Sequence, residues 1–273
     1  MFYLKGMIFF MPVMDEFKEE REAMRQKSFK KKWEYFWYYY KWYVIGGVVL
    51  IFFAATFLYG RLTEKETILS GIALNSNLLN GEEKAEELLT DFTTYLQLNP
   101  AKNEAFIKPG LYMTGGNVQE AYEANQYITL NIAVGELDIC LMDEDNFISY
   151  AYDSTFADLT TCLDASLQSS LSDKFFYVDC PVEEEYHNRQ DNNISTDDMV
   201  FPAGNDPENM EQPYPVGIDI SGCTKLMEAY GYDASKGPIY LGIVRNTERM
   251  DASVKFVSFL FSSSENSTLP QTH

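Results

Sequence analysis

The stretch WYVIGGVVLIFFAATFLYG, residues Trp42 to Gly60, divides the chain and gives every other segment its side. It holds 19 residues, carries no charge, and is bounded by Lys41 and Arg61. At ~1.5 Å per residue a helix of this length covers roughly 28 Å, close to the ~30 Å hydrocarbon core of a bilayer. A helix satisfies its own backbone hydrogen bonds, so it needs no water along that path. A buried core helix is the competing reading. The Trp, Tyr and basic residues at its leading edge favour a single membrane span.

Lys27, Lys30, Lys31, Lys32 and Lys41 precede the span, opposed only by Glu34, whereas Arg61 and Lys65 after it are matched by Glu64 and Glu66. Orientation follows Lys and Arg near the ends of a span, so the N-terminus is expected in the cytoplasm and the long C-terminal part outside it. The net charge of −20 hides this split, because residues 1–41 sum to +3 and residues 61–273 to −23. Lys30, Lys31, Lys32, Trp33, Trp37 and Trp42 are the candidate membrane-interface residues. Basic groups there attract anionic lipid, and amphipathic rings favour the headgroup level. The membrane accounts for both residue types, so lipid is the expected partner and nucleic acid is not. Phe57 to Arg61 offers no small-x-small cleavage site, which makes the span an uncleaved signal anchor rather than a signal peptide.

The first 13 residues are apolar but too short to span, and the helical beginning MDEFKEEREAMRQKSFKKKW makes Met14 the expected start, with Met1 the alternative. Residues 1–41 then form a basic and aromatic cytoplasmic segment, helical from about residue 15. Residues 42–60 cross the membrane and 61–66 link the span to the outer part. From Thr67 to Ser263 strand and helix patterns alternate. TILSGIALN (67–75), EAFIK (104–108), LDICLMD (137–143), FFYVDC (175–180), PVGIDISG (215–222) and IYLGIVRN (239–246) read as strands. Residues 82–98, 117–136 and 250–263 read as helices, with Asn80 a candidate cap for the first of them. Strands separated by helices imply an α/β domain of three layers with a mostly parallel sheet. Residues 181–215 hold nine acids against one base, Arg189, and read as an exposed loop excursion. The tail 264–273 reads as flexible.

IAVGELDICLMDEDNFISYA with TFADLTTCLD (132–164) resembles extracellular solute-binding proteins of the type 2 periplasmic fold. Val134-Gly135, Leu137 to Leu141, Tyr150-Ala151 and Phe156 to Leu159 occupy the places of that family's helix end, ligand-facing strand, Tyr-Ala helix and Asp-Leu turn. YLGIVRNTERMDASVKFVSFLFS (240–262) is similar to its returning strand and closing helix. The resemblance implies one lobe of a two-lobed binding protein, since the acidic excursion stands where a second lobe would be built. Ligands of open α/β sheets sit beyond the carboxyl ends of strands. The ligand-binding candidates are therefore Asn75, Ser76, Asp143, Glu144, Arg245 and Asn246, and the expected ligand is a small solute or a partner protein outside the membrane. The alternative is an accessory subunit that docks to a membrane complex without a small ligand.

No G-x-S-x-G, H-E-x-x-H, C-x-x-C or P-loop spacing occurs, and the two histidines, His187 and His273, have no partner that the sequence nominates. Neither an enzyme nor a cofactor or metal site is expected. Of the four cysteines, Cys140 reads as a buried thiol, and Cys162 with Cys180 is the candidate disulfide.

Overall fold

In a computed structural model that describes residues 28–63, 65–77 and 81–265, the uncharged stretch lies inside one helix, α1 (Phe29–Thr63). Its segment Tyr40–Tyr59 is long and apolar enough to cross a membrane, the one such helix among the described residues. The juxtamembrane rings continue on the same helix rather than on a separate one: Trp33 stacks on Trp37 at 6.4 Å and Phe36 on Tyr40 at 5.3 Å. Residues four apart on a helix are neighbours, which is why this aromatic spacing propagates the helix instead of ending it. The expected linker shrinks accordingly, since α1 runs through Thr63 and β1 begins at Glu66. The alternative start positions, the helix expected before residue 28, Asn80 and residues 266–273 lie outside the described residues.

The chain divides into two compact units, Met1–Glu64 and Lys65–His273. The second is an α/β unit. Its elements run β1 (Glu66–Leu74), α2 (Glu82–Tyr95), β2 (Asn103–Leu111), α3 (Val118–Ala133), β3 (Ile139–Asp143) and α4 (Glu144–Tyr152). There follow α5 (Leu159–Cys162), α6 (Ala165–Leu171), β4 (Phe175–Asp179), α7 (Cys180–Asp191), β5 (Pro213–Asp219), α8 (Thr224–Tyr230), β6 (Ile239–Ile243) and α9 (Met250–Glu265). Each strand overlaps a stretch expected from the sequence. Local chemistry starts the helices: Asn117 and Glu120 form a reciprocal capping box on α3, and Asp143 and Asp164 cap α4 and α6 through their side chains.

The sheet order is β2-β1-β3-β6-β5-β4. β1 pairs parallel with β2 and β3, whereas β3–β6, β6–β5 and β5–β4 are antiparallel. The sheet is thus mixed, which corrects the expectation of a mostly parallel one. The reason is length. Helices α2 and α3 are long enough to carry the chain back along the sheet for another parallel strand. α8 has 7 residues and covers only ~10 Å, too little to return along a β5 of roughly 23 Å. β6 therefore starts where β5 ends and runs backwards.

The acidic excursion also departs from its reading. Its first third is α7, entered through Pro181 near the helix start, where the missing N–H costs nothing. Both ends of the excursion meet at the end of β4, where the Cys180 N–H donates to the Gln212 carbonyl at 3.1 Å. The Asp179 carboxylate accepts from the Glu211 and Gln212 N–H groups. Arg189 clasps the rest, donating to Glu185 at 2.8 Å and Asp198 at 2.7 Å. A segment that leaves and returns at one point needs β5 antiparallel to β4.

Strand residues alternate between two buried clusters. Leu69, Ala73, Ile139, Leu141 and Leu241 join Leu88, Phe92, Tyr230, Phe256 and Val257 in one; Ile72, Leu74, Cys140 and Met142 join Ala124, Ile128, Phe147 and Tyr152 in the other. Burial of each large side chain contributes ~1.5–3 kcal/mol. The second cluster contains a point of close approach. Gly217 and Gly242 face each other across β5 and β6, and the stacked rings of Phe147 and Phe156, 4.6 Å apart, lie over them. A Cβ at Gly242 would stand 2.5 Å from the Phe156 ring, and one at Gly217 2.4 Å from Phe147. Gly242→Ala is therefore expected to destabilise this unit by ~1–3 kcal/mol, the range for overpacking a filled core. Urea unfolding followed by near-ultraviolet circular dichroism measures it. Tryptophan fluorescence is unsuitable, because all 3 tryptophans lie in α1.

Candidate functional site

The strand order 2-1-3 reverses direction at β1: α2 leads outward to β2, and α3 crosses back to β3. Beyond the carboxyl ends of β1 and β3, where such a reversal opens a crevice in α/β sheets, lies a cleft of about 450 Å³. Its lining includes Asn75 and Asn77 after β1, Thr114 after β2, Asp143, Glu144 and Asp145 at the β3–α4 junction, and Tyr232, Asp233 and Lys236 before β6.

Asn75 organises the floor. It holds φ +54°, a left-handed conformation that Asn tolerates better than most residues. Its carbonyl oxygen accepts from the Met113 and Thr114 N–H groups at 2.9 and 3.1 Å, and its amide donates to Asp143 Oδ2 at 2.6 Å. The other Asp143 oxygen accepts from the Asn146 backbone and side chain at 3.2 and 2.7 Å. One residue thus fixes the loop after β2 and the start of α4. Tyr232 closes the cleft from behind by donating its hydroxyl to the Leu74 carbonyl at 2.7 Å. Burial, and then the nearby Asp143 carboxylate, push this phenol well above its usual range, so it stays a neutral donor.

Four carboxylates (Asp143, Glu144, Asp145 and Asp233) and one ammonium (Lys236) give the cleft an acidic lining. Glu144 and Asp145 also occupy the first turn of α4, where carboxylates favour the helix N-terminus. Asp143 is committed to its hydrogen bonds, and Asp233, though exposed, accepts from the Ser235 N–H and hydroxyl at 3.0 and 2.7 Å. The arrangement can accept hydrogen bonds and receive positive charge at one wall and meet an anion only at Lys236.

Of the six ligand candidates, Asn75, Asp143 and Glu144 line this cleft. Ser76 does not; it is fully buried and donates to the Ala73 carbonyl at 2.8 Å, holding the turn behind the floor. Arg245 and Asn246 are at the other end of the sheet, because β6 runs antiparallel to β3 with Asp143 opposite Ile239 and Ile139 opposite Ile243. There the Arg245 Nε donates to the Phe156 carbonyl at 3.3 Å, and the Asn246 amide donates to the Ile132 carbonyl at 2.7 Å, at the end of α3. These two are structural ties. Thr114, Tyr232 and Lys236 were not among the candidates, since only the sheet order brings residues 114 and 232–236 beside residue 75.

The four cysteines are free thiols, which corrects the expected Cys162–Cys180 bond. Cys162 packs against the first buried cluster, while β4 carries Cys180 ~17 Å beyond Phe175 to a place beside Glu184. Cys140 is fully buried, as its strand context implied, and burial raises its thiol far above the ordinary range. On α1, Lys30, Trp33, Trp37 and Trp42 are exposed, and Lys31 and Lys32 belong to the same helix.

His187 does have a partner in space. Its Nε2 lies 2.9 Å from Ser154 Oγ, and the Ser154 and Tyr214 hydroxyls both donate to the largely buried Glu183 carboxylate. Glu183 thereby ties the end of α4, α7 and β5 together. The Ser154 hydroxyl has one proton, which it donates to Glu183. Among the described residues, no group of three His, Cys, Asp or Glu side chains is placed to hold a metal ion.

Comparison with known proteins finds no family model that matches the chain and no matching curated sequence.

Replacing Asn75 separates its two contributions. Asn75→Gly keeps the left-handed backbone and loses the side-chain bonds, at ~1–3 kcal/mol; Asn75→Ala adds ~1–2 kcal/mol of backbone strain. Urea unfolding of the two variants side by side checks this order, with Ala expected to be the less stable.

Proposed function

We propose that the chain is a single-pass membrane protein whose second unit, residues 65–273, lies outside the cytoplasmic membrane and binds a small polar solute in the cleft beyond β1 and β3. The single observation that carries the reading is the position of that cleft: a concave, polar cavity at the point where the parallel strands reverse direction, of a size usual for ligand sites. The lining favours a ligand rich in hydroxyl or ammonium donors, because carboxylate and amide oxygens outnumber the one cation. This reading takes the domain as one helix–sheet–helix lobe of the type 2 periplasmic kind, with β6 and α9 as the returning strand and closing helix. It assigns no catalytic step to the chain.

A thermal-shift screen of the full chain in lipid nanodiscs against sugars, amino acids and short peptides tests it. A ligand at a hundred times its Kd stabilises by ~2.7 kcal/mol, enough for a clear rise in Tm. The expected result is such a rise for one class, abolished by Asp143→Ala. No rise across the panel would overturn the solute reading.

A second reading, docking to a membrane complex, is favoured by one observation. Val118, Tyr122, Leu130 and Val134 on α3 and its C-terminal cap are 89, 57, 63 and 59% exposed, two pairs four residues apart on either side of Gln126. Exposed apolar groups of this kind suit a protein contact better than water.

The orientation rests on the Lys27 to Lys41 bias across α1. Protease added to intact cells is expected to digest residues 65–273 and spare the N-terminal segment; the reverse pattern would invert the topology and end the extracytoplasmic assignment.

A further inference from the structure

A groove of about 600 Å³ lies between α3, the end of α4 and α7, and it shares no lining residue with the cleft beyond β1 and β3. Each of these helices brings a tyrosine to its wall: Tyr122 on α3, Tyr150 on α4 and Tyr186 on α7. Tyr122 is 57% exposed, and its hydroxyl accepts from the Gln126 amide at 2.8 Å, one turn further along α3. The Tyr150 hydroxyl donates to Asn125 Oδ1 at 3.0 Å and approaches the Met113 sulfur at 3.7 Å, and both of those residues also line the groove. Tyr186 is half-buried, with its ring edge-on to His187 at 5.9 Å and to Phe201 at 6.0 Å.

Among the lining residues Asp153 alone carries a charge. It caps the C-terminal end of α4 and is itself exposed. Its surroundings are still dry enough that burial raises its carboxyl above the ordinary range, against the lowering effect of the nearby His187 and of a hydrogen bond with Gln190. His187 in turn lies 4.0 Å from Glu183, so the nearest imidazole has a carboxylate of its own. No Lys or Arg lines the groove, and its wall therefore has no fixed cation to meet an anionic ligand. A carboxylate beside aromatic rings suits an organic cation, because the face of a ring is its negative side and attracts ammonium groups.

We propose that this groove binds a small organic ammonium ion, with the charge beside Asp153 and the body of the ligand on the Tyr122 and Tyr186 rings. The volume is within the range usual for small-molecule sites and admits one ring with a short side chain. A ligand here occupies a cavity other than the first cleft and touches none of its residues.

The test uses probes that share a ring and differ in charge: phenethylammonium, neutral 2-phenylethanol and anionic phenylacetate. Each is titrated at neutral pH by saturation-transfer NMR against the full chain in lipid nanodiscs, with empty nanodiscs as the background. Saturable binding that weakens from cation to alcohol to anion is the expected result. Asp153→Asn keeps the shape and removes the charge; it is expected to weaken the cation about fivefold and to leave the alcohol unchanged. Tyr122→Leu keeps an apolar surface and removes the ring face, and it is expected to weaken the cation about threefold. Both side chains are exposed, so thermal midpoints equal to that of the unaltered protein are expected for the two variants. If either fails to fold, the order of the probes on the unaltered chain still decides. Absence of saturable binding by the cation, or binding of the alcohol or the anion as tight as that of the cation, overturns the proposal. So does an unchanged Kd for the cation in a folded Asp153→Asn or Tyr122→Leu, which would mean that it is held elsewhere, the acidic first cleft included.

Discussion

The second unit depends on one carboxylate. Asp138 has no exposed surface, yet it accepts from the Ser70 N–H of β1 at 2.6 Å, from the Arg249 Nε at 2.8 Å, and from the Thr247 hydroxyl. Its own backbone continues the seam, with its N–H donating to the Ser70 carbonyl and its carbonyl accepting from Val244. Removing one partner of a buried ion pair typically costs ~3–5 kcal/mol, because the other charge is left without compensation. Here that charge stands where the parallel strands β1 and β3 meet the antiparallel return from β6 into α9. The junction of the two halves of the sheet is therefore electrostatic as well as apolar.

That junction decides where chemistry can occur. By holding β6 antiparallel to β3, it sends Arg245 and Asn246 to one end of the sheet and leaves Asn75 and Asp143 at the other. The same reversal brings Tyr232 and Lys236, which lead into β6, to the cleft. A polar crevice is thus assembled from four separate parts of the chain. Its floor is made rigid by the hydrogen bonds of Asn75 and Asp143. The paired glycines of β5 and β6 serve the same geometry, because only a strand surface without side chains admits the Phe147 and Phe156 stack so close to the sheet.

The acidic excursion shows a different balance. Nine acids in one segment repel, and little of it can be buried, but Arg189, the Asp179 carboxylate and the Glu183 tether to Ser154 and Tyr214 hold it to the domain. Helix α7 carries Glu183 and His187 on successive turns, four residues apart, so both reach the end of α4. The excursion is an ordered lateral element and does not build a second wall over the cleft.

The sequence by itself determined what depends on local pattern. An uncharged run of membrane length and the period of apolar residues in the six strands and in α2, α3 and α9 are properties of neighbouring residues, and each was legible before any tertiary contact was known. Three of the six candidates line the cleft for the same reason: Asn75, Asp143 and Glu144 stand at strand ends, and strand ends are where clefts open. Only the tertiary structure decided strand direction, because a helix between two strands does not fix it unless it is long enough to return. Direction then separated Arg245 from Asp143, recruited Tyr232 and Lys236, gave His187 a partner in Ser154, and kept Cys162 from Cys180. Each of these joins residues far apart in the chain, where no local periodicity carries the information.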